Sequence, residues 1–333
     1  MTQLVSILIP AYNAQKWIRQ TMESALGQSW PHKEIVVVDD GSTDMTLRIL
    51  KSFESGIVKI VSQENRGGPA ARNVALRHAQ GDFIQWLDHD DILDPDKIKS
   101  QLQSQKYDGD PGTLLSGSFA QFYFSTARAR FHSGPLWRDL APIDYFLIKF
   151  GQNTWIHPSV WLASRELTEA AGPWTELRSP YDDGEYFCRV VAACKRIVFV
   201  PEAKSYWRVG NAKSMNRSRS EEAIEAMYAT TVLSITQFRS LEDSPRTRMA
   251  CLQCLQDTFN SMGPNFRDVQ EKVRRLAREL GGSVFLEPLR PRYRLLGRAL
   301  GRQIAGVMQA AIPALKESVV RGWDKLCFLI SNQ

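Results

Sequence analysis

Apolar residues divide the first hundred positions into alternating segments. "VSILI" (Val5–Ile9) is a continuous apolar run of strand length, after which Ala14, Trp17, Ile18, Thr21, Met22, Ala25 and Leu26 recur at helical spacing. "EIVVVDD" predicts a second strand, apolar through its middle as a strand covered on both faces should be. "GSTD" turns the chain, Leu47, Ile49, Leu50 and Phe53 mark another helix, and "VKIV" is a third strand. "NRGGPAARNVALRHA" puts Gly67 and Gly68 in a turn and Pro69 at a first helical position, where its missing N–H costs nothing. "DFIQWL" is a fourth strand. Repeated β-α units predict an α/β fold with a doubly wound, mostly parallel sheet, whose ligands bind beyond the carboxyl ends of the strands.

Two of those ends are acidic. "VVVDD" closes on Asp39 and Asp40, and "FIQWLDHDD" on Asp88, His89, Asp90 and Asp91. Like charges repel one another and attract cations, so the second cluster is either a solvated strand-end turn or a metal site. Its coincidence with the first favours a ligand site. Farther along, from about Lys97 to Tyr206, the periodicity weakens and aromatic residues increase, with short strands in "LLSGSFAQFYF", "SVWLAS" and "RIVFVP". From about Ser218 to Asn260 the pattern turns helical, and no internal repeat is visible.

Composition narrows the class. The chain has 333 residues, 43% hydrophobic and 23% charged, as an ordinary globular protein does. Five cysteines give no disulfide framework, and the lone C-x-x-C of Cys251 and Cys254 reads as core packing rather than a zinc site. "MTQLVSILIP" has no basic n-region or signal-length apolar run, so a cytoplasmic location is expected. No stretch reaches the roughly 18 consecutive apolar residues of a spanning helix. Of the net charge of +6, the segment from Ser283 onward carries +5, which leaves the body without a nucleic-acid footprint.

Six segments in order, "ILIPAYNAQKWIRQTMESALGQSW", "IVVVDDGSTD", "ENRGGPAARNVAL", "GDFIQWLDHDD", "HPSVWLASRELTEAAGPWTE" and "YDDGEYFCRV", resemble family 2 glycosyltransferases over roughly residues 4–210. That family comprises inverting, nucleotide-sugar-dependent enzymes with a GT-A fold. The resemblance implies a GT-A domain over 1–215, with a Rossmann-like nucleotide-sugar-binding half (1–95) and an acceptor half (96–215). A helical C-terminal region (216–333) with a basic amphipathic tail follows.

The resemblance also assigns roles. Asp88-His89-Asp90 fits the family's D-x-D motif, with Asp90 the direct ligand of Mg²⁺ or Mn²⁺ and Asp88 facing the ribose or the metal shell. The leaving diphosphate wants a divalent cation, and hard oxygen ligands suit these ions. His89 would be a bystander, and Asp91 would cap the next helix or turn. Pro10 and Tyr12 would line the base pocket. Asp40 would accept from the base's imide N–H, which favours a UDP-linked donor, whereas Asp39 reads equally as a loop anchor. Ser42 and Asp44 read as helix caps. Arg72 would reach the diphosphate or base side with its fork of donors, and Asn73 could be structural. Inversion needs a general base for the acceptor hydroxyl. Asp183, six residues before Arg189, aligns with the family's catalytic aspartate, and Asp182 replaces the usual glutamate. Glu185 competes for the role, and the acid pair could also be a helix N-cap. Trp155 and His157 fall where relatives shape the acceptor or sugar pocket, and each could equally be packing.

One departure from the family is evident. After "SYWRV" relatives carry a histidine for the diphosphate, whereas this chain has "GNAKSMNRS", with Asn211, Lys213 or Arg217 as candidates to stand in. The expected activity is metal-assisted transfer to a saccharide or lipid-linked acceptor in cell-surface polysaccharide synthesis. The alternatives are a catalytically inactive nucleotide-sugar-binding protein of the same fold, or a receiver-like or dinucleotide protein. The last lacks its G-x-G-x-x-G after strand one. In the tail, Arg294, Arg298 and Arg302 share a helical face beside Leu296, Leu300 and Ile304, with Pro313 interrupting. That segment would either lie on an anionic membrane at the inner face of the cell membrane or pack on its own domain or a second subunit. On the membrane reading, its deletion from Arg290 onward spares donor hydrolysis.

Overall fold

A computed structural model describes residues 3–209, 220–262, 265–285 and 320–325. The chain opens with β1 (Val5–Ala11), α1 (Ile18–Leu26), β2 (Lys33–Asp39), α2 (Thr46–Lys51), β3 (Val58–Ser62), α3 (Gly68–His78) and β4 (Phe83–Trp86). These follow the β-α alternation of the sequence. β3, β2, β1 and β4 lie side by side in parallel, and the later two-residue β8 (Ala163–Ser164) closes the sheet antiparallel to β4.

The continuous apolar runs of β1 and β2 are explained by their two covered faces. Ile7, Ile9, Ile35 and Val37 point to one core, which α1 completes with Ile18, Met22 and Ala25. Leu8, Val36 and Val38 point to the other, where Ala71 and Ala75 of α3 meet them.

The weakly periodic middle of the chain builds a second sheet. After β5 (Ile92–Leu93) and α4 (Lys97–Leu102) come β6 (Thr113–Phe122), β7 (Arg130–Phe131), α5 (Pro142–Gly151), then β8, α6 (Arg165–Ala171), α7 (Asp182–Ala193) and β9 (Arg196–Arg208). The sheet order is β5-β9-β6-β7, with β6 and β9 parallel. Their register shifts between Gly117 and Ser118, where a Cβ on Gly117 would collide with the Ala203 carbonyl oxygen. The expected strand in "SVWLAS" is kept at its end, as a bridge at Leu162 and β8, while its first two residues belong to a 3-10 turn at Pro158–Val160, and "RIVFVP" extends to a thirteen-residue strand.

α8 (Glu221–Leu241), α9 (Pro245–Met262) and α10 (Arg267–Glu279) supply the helical C-terminal region. Ile224, Met227, Ile235, Phe238, Leu255 and Phe259 join the same core as Phe146, Phe150 and Tyr186. Phe238 stacks on Phe146 at 5.0 Å, so α8 is seated on α5 by aromatic packing. Cys251 and Cys254 are free thiols that burial pushes up to about 12, in keeping with packing rather than metal binding.

Candidate active site

The carboxyl ends of β1, β2 and β4 open into a cleft of about 1340 Å³, bounded on its far side by α5, α7, α8 and α9. Pro10, Tyr12, Asp40, Arg72, Asp88, Asp90 and Asp183 all line it, so the strand-end acids and the helix acid share one space. Pro10 belongs to β1, and Tyr12 just beyond it is 44% exposed.

Asp40 is held tightly. Its Oδ1 accepts from Gln63 Nε2 at 2.6 Å and Arg66 N at 2.9 Å, and its Oδ2 accepts from Gly67 N at 2.8 Å. Gly67 has φ +95, a conformation that favours glycine, and this aims its N–H at the carboxylate. An ionised carboxylate offers about four lone-pair positions, so one on Oδ2 remains for a ligand N–H. Loop anchoring, expected for Asp39, therefore belongs chiefly to Asp40. Asp39 accepts from Ser42 N at 3.3 Å and leaves Oδ1 buried with no hydrogen-bond partner among the described residues. Neither Ser42 nor Asp44 is the N-cap of α2, which is Met45; Asp44 Oδ1 accepts from Thr46 N at 2.9 Å at the helix start, whereas Ser42 Oγ takes the N–H of Asn13.

Arg72 lies at the centre of the cleft wall, 8% exposed, with its guanidinium 4.4 Å from the Trp174 ring centroid. It donates from one terminal nitrogen to Asp88 Oδ1 at 2.8 Å and from the other to Asp182 Oδ2 at 3.1 Å. Burial works against this charge, but Asp88 and then Asp182 outweigh it and hold the arginine above its ordinary pKa. The residue expected to reach a diphosphate is thus also a bridge between the two acidic arms of the site. Asn73 is structural: its amide donates to Trp174 O at 2.9 Å and accepts from Trp174 N at 2.7 Å, fastening α3 to the approach to α7.

Burial pushes Asp88 up, but Arg72 and then His157 outweigh it, so the group sits below its usual value. Asp91 does not cap the following helix. It is fully buried, its Oδ1 accepts from Arg208 N at 2.8 Å, and its Oδ2 lies 3.2 Å from His157 Nε2. The reason is tertiary, since β9 passes directly beside the loop. Burial, then repulsion from Asp90 and Asp88, pushes Asp91 well above the carboxylate range, and burial holds His157 down to about 4. His157 Nδ1 lies 2.7 Å from Ser159 Oγ, and its ring stacks on Trp207 at 5.5 Å. Beside it, Trp155 is 43% exposed to the cleft.

Candidate ligand atoms of Asp88, Asp91 and His157 lie within 4.8 Å of one another. His157 and Asp91 face each other and Asp91 also holds the Arg208 backbone, so these two serve the loop's shape. Asp88 and Asp90, both on the cleft, are the hard oxygen donors that suit Mg²⁺ or Mn²⁺ beside a ligand's phosphates, and this donor set fits the ion. His89 contributes its backbone, accepting from Thr21 Oγ1 at 3.0 Å.

Across the cleft, Asp182 and Asp183 are the first two residues of α7 rather than its N-cap, which is Tyr181. Acids in a helix's first turn are favoured by the unpaired N–H groups there. Asp182 Oδ1 takes Asp183 N at 2.7 Å, and Asp183 Oδ1 takes Gly184 N at 2.7 Å. Burial raises both groups, with Arg72 opposing, and Asp182 is brought to about 6. Lys149 is a second cation acting on Asp183. Glu185 also borders the cleft, but it is 3% exposed and engages Arg189 through both oxygens, at 2.7 and 3.0 Å. Arg189 in turn donates to the carbonyls of Ala171 and Pro173.

Sequence reasoning passed over Arg208. It is buried between Trp17 and Phe122, with its guanidinium carbon 3.8 and 4.3 Å from their ring centroids. It donates to Asp90 O, Tyr123 O and Gln20 Oε1, each at 2.8 Å. The only sequence signal was its place in "YWRV", directly before the missing histidine. Asn211, Lys213, Arg217 and the tail from Arg290 to Ser318 lie outside the described residues. Among the described residues no helix is long and apolar enough to cross a membrane.

Residues 6–170 match the model of the family described as Glycosyl transferase family 2. The chain is 45% identical over 103 residues to the putative teichuronic acid biosynthesis glycosyltransferase TuaG of Bacillus subtilis, which is 30% of this chain and 41% of that protein. The match thus spans about two fifths of the relative's own length. In shape, the chain resembles S. aureus TarS 1-349 in complex with UDP-GlcNAc, with a TM-score of 0.58 at 18% identity over 83% of this chain and 89% of that one. It also resembles the mannosyltransferase PcManGT from Pyrobaculum calidifontis in complex with GDP-Man and Mn2+, with a TM-score of 0.53 at 18% identity over 99% and 86% of the two chains.

Proposed function

This chain belongs to glycosyltransferase family 2, and from that premise we propose that it transfers a sugar, with inversion, from a nucleotide diphosphate sugar to an acceptor hydroxyl. The observation that carries the reading is one cleft with a cation-suited acid pair, Asp88 and Asp90, on one wall and Asp183 on the other. The kinship with a teichuronic acid glycosyltransferase, and the GT-A shape shared with TarS, support a saccharide or lipid-linked acceptor in cell-surface polysaccharide synthesis.

Pro10 and Tyr12 flank the base, and the remaining lone pair of Asp40 accepts its imide N–H, which favours uridine or thymidine over cytidine. Asp88 and Asp90 would hold Mg²⁺ or Mn²⁺, with Asp88 facing the ribose or the metal shell. When bound, the ion stabilises the negative charge of the leaving diphosphate. Arg72 fixes Asp88 and Asp182 in place, and its N–H groups beyond those two bonds face the donor side. Asp183 accepts the proton of the acceptor hydroxyl as that oxygen attacks the anomeric carbon. Its burial raises its proton affinity, which suits a general base, and Arg72 and Lys149 oppose that rise. The exposed face of Trp155 offers an apolar surface against which an acceptor sugar can rest.

Equilibrium binding of UDP, dTDP, GDP and CDP with and without Mn²⁺ tests the donor assignment. UDP or dTDP should bind most tightly and only weakly without the ion. CDP binding as tightly as UDP would overturn the role given to Asp40.

A further inference from the structure

Residues 320–325 touch the turn that follows β6, two hundred positions earlier in the chain. Val320 and Trp323 are 57% and 63% exposed, yet Asp324 is only 6% exposed. Asp324 Oδ2 accepts from Phe124 N at 2.9 Å, and its Oδ1 is buried with no hydrogen-bond partner among the described residues. A buried carboxylate with an unmet oxygen costs stability unless a nearby positive charge offsets it. The charge there is Arg208, on which Asp324 acts together with Asp90 and Asp91, although burial still lowers that arginine to about 10.

The contacts run on without a gap to the acid loop. Phe124 is bonded to Asp324, and the preceding carbonyl, Tyr123 O, accepts from Arg208. Arg208 donates its side-chain Nε–H to Asp90 O and its backbone N–H to Asp91 Oδ1. Trp17 packs against both Phe124, at 5.6 Å between ring centroids, and the Arg208 guanidinium. Lys16 Nζ caps this stack 4.3 Å from the Trp17 ring centroid, and Arg321 and Lys325 lie close enough to lower its pKa further after burial has done so.

We propose that residues 320–325 form a C-terminal latch and that Asp324 is a positioning residue, holding the Asp88–Asp91 loop in its cation-binding shape through Phe124 and Arg208. The functional consequence rests on the reading that this loop binds the donor with its ion; the mechanical coupling does not. The latch predicts instead that removing everything beyond Arg290 also affects donor chemistry. The tail contributes a contact within the catalytic half.

Amide hydrogen exchange on the full-length, ligand-free protein tests the latch, because the Asp91 N–H to Asp88 O bond and the Arg208 N–H to Asp91 bond report on the loop directly. Asp324→Ala should speed exchange about tenfold or more in peptides covering residues 88–92 and 120–125, and leave β2 unchanged. Asp324→Asn keeps an acceptor for Phe124 N–H and should restore most of the protection. In parallel, Asp324→Ala should weaken the binding of Mn²⁺ measured with UDP about tenfold. Unaltered exchange at 88–92 in Asp324→Ala, or exchange that rises equally everywhere including β2, overturns the latch. A wild-type protein that ignores Mn²⁺ and UDP counts against the donor reading, while the exchange result still decides the latch.

Discussion

Replacing Arg72 with methionine keeps a chain of similar reach but removes the bridge between the acidic arms. Two charge-assisted hydrogen bonds, at 2.8 and 3.1 Å, are lost. Each such bond contributes about 1.5–3 kcal/mol, and breaking a buried pair by deleting one partner costs about 3–5 kcal/mol. The side chains of Asp88 and Asp182 are 31% and 16% exposed, so water partly compensates the stranded acids. Methionine also keeps some of the packing on Trp174. The net loss should therefore be about 2–4 kcal/mol, toward the lower part of those ranges. At about 2–4 °C per kcal/mol for a domain of this size class, Tm should fall by about 4–16 °C. Arg72→Lys retains a charge but not the fork, since one ammonium cannot meet both carboxylates in plane, and should fall between the two. Calorimetric or urea unfolding of the three proteins at neutral pH measures this. An Arg72→Met protein melting within about 1 °C of wild type would refute the bridge as a structural element.

Other outcomes follow from the same geometry. Asp183→Asn should preserve nucleotide-sugar binding and reduce turnover by about 10²–10⁴, as loss of a general base does, and loss of donor binding would move Asp183 into the donor site. Because burial raises Asp183, the acid limb of the wild-type turnover profile should lie above the ordinary aspartate value, with activity lost as pH falls through it. A limb at or below the ordinary aspartate value contradicts that. Glu185→Gln breaks a buried bidentate pair with Arg189, so it should lower Tm by several degrees while leaving residual turnover far above that of Asp183→Asn. A Glu185 variant as inactive as the Asp183 variant, yet stably folded, would return the base role to Glu185.

The strands and acids of the first half were legible because their signals are local. A strand covered on both faces must be apolar throughout, and "IVVVDD" and "FIQWLDHDD" announce both the strand and the ligand-facing end in a few residues. Asp183 was legible only through the family resemblance, since its six-residue separation from Arg189 is not one that helical periodicity singles out. The middle of the chain was less legible because β9 gains its length from pairing with β6 and β5, partners far away in sequence. Asp91 read as a cap because its neighbours resemble a turn, and only the passage of β9 reassigns its carboxylate to Arg208. Arg72 carried the right residue type, but a bridge to Asp182 over 110 positions leaves no periodic trace. Asp324 was hidden for the same reason, as one acid in a basic segment.

The central claim is that the acids following β4 hold a divalent cation against a sugar nucleotide. Release of sugar from a panel of UDP-, dTDP- and GDP-sugars, measured with Mn²⁺, with EDTA, and in Asp90→Ala, tests it most directly. At least one donor should be hydrolysed with Mn²⁺. Removal of the ion or of Asp90 should slow that donor by about 10²-fold or more, the several kcal/mol that leaving-group stabilisation supplies. Undiminished hydrolysis in EDTA and in a folded Asp90→Ala protein would contradict the account.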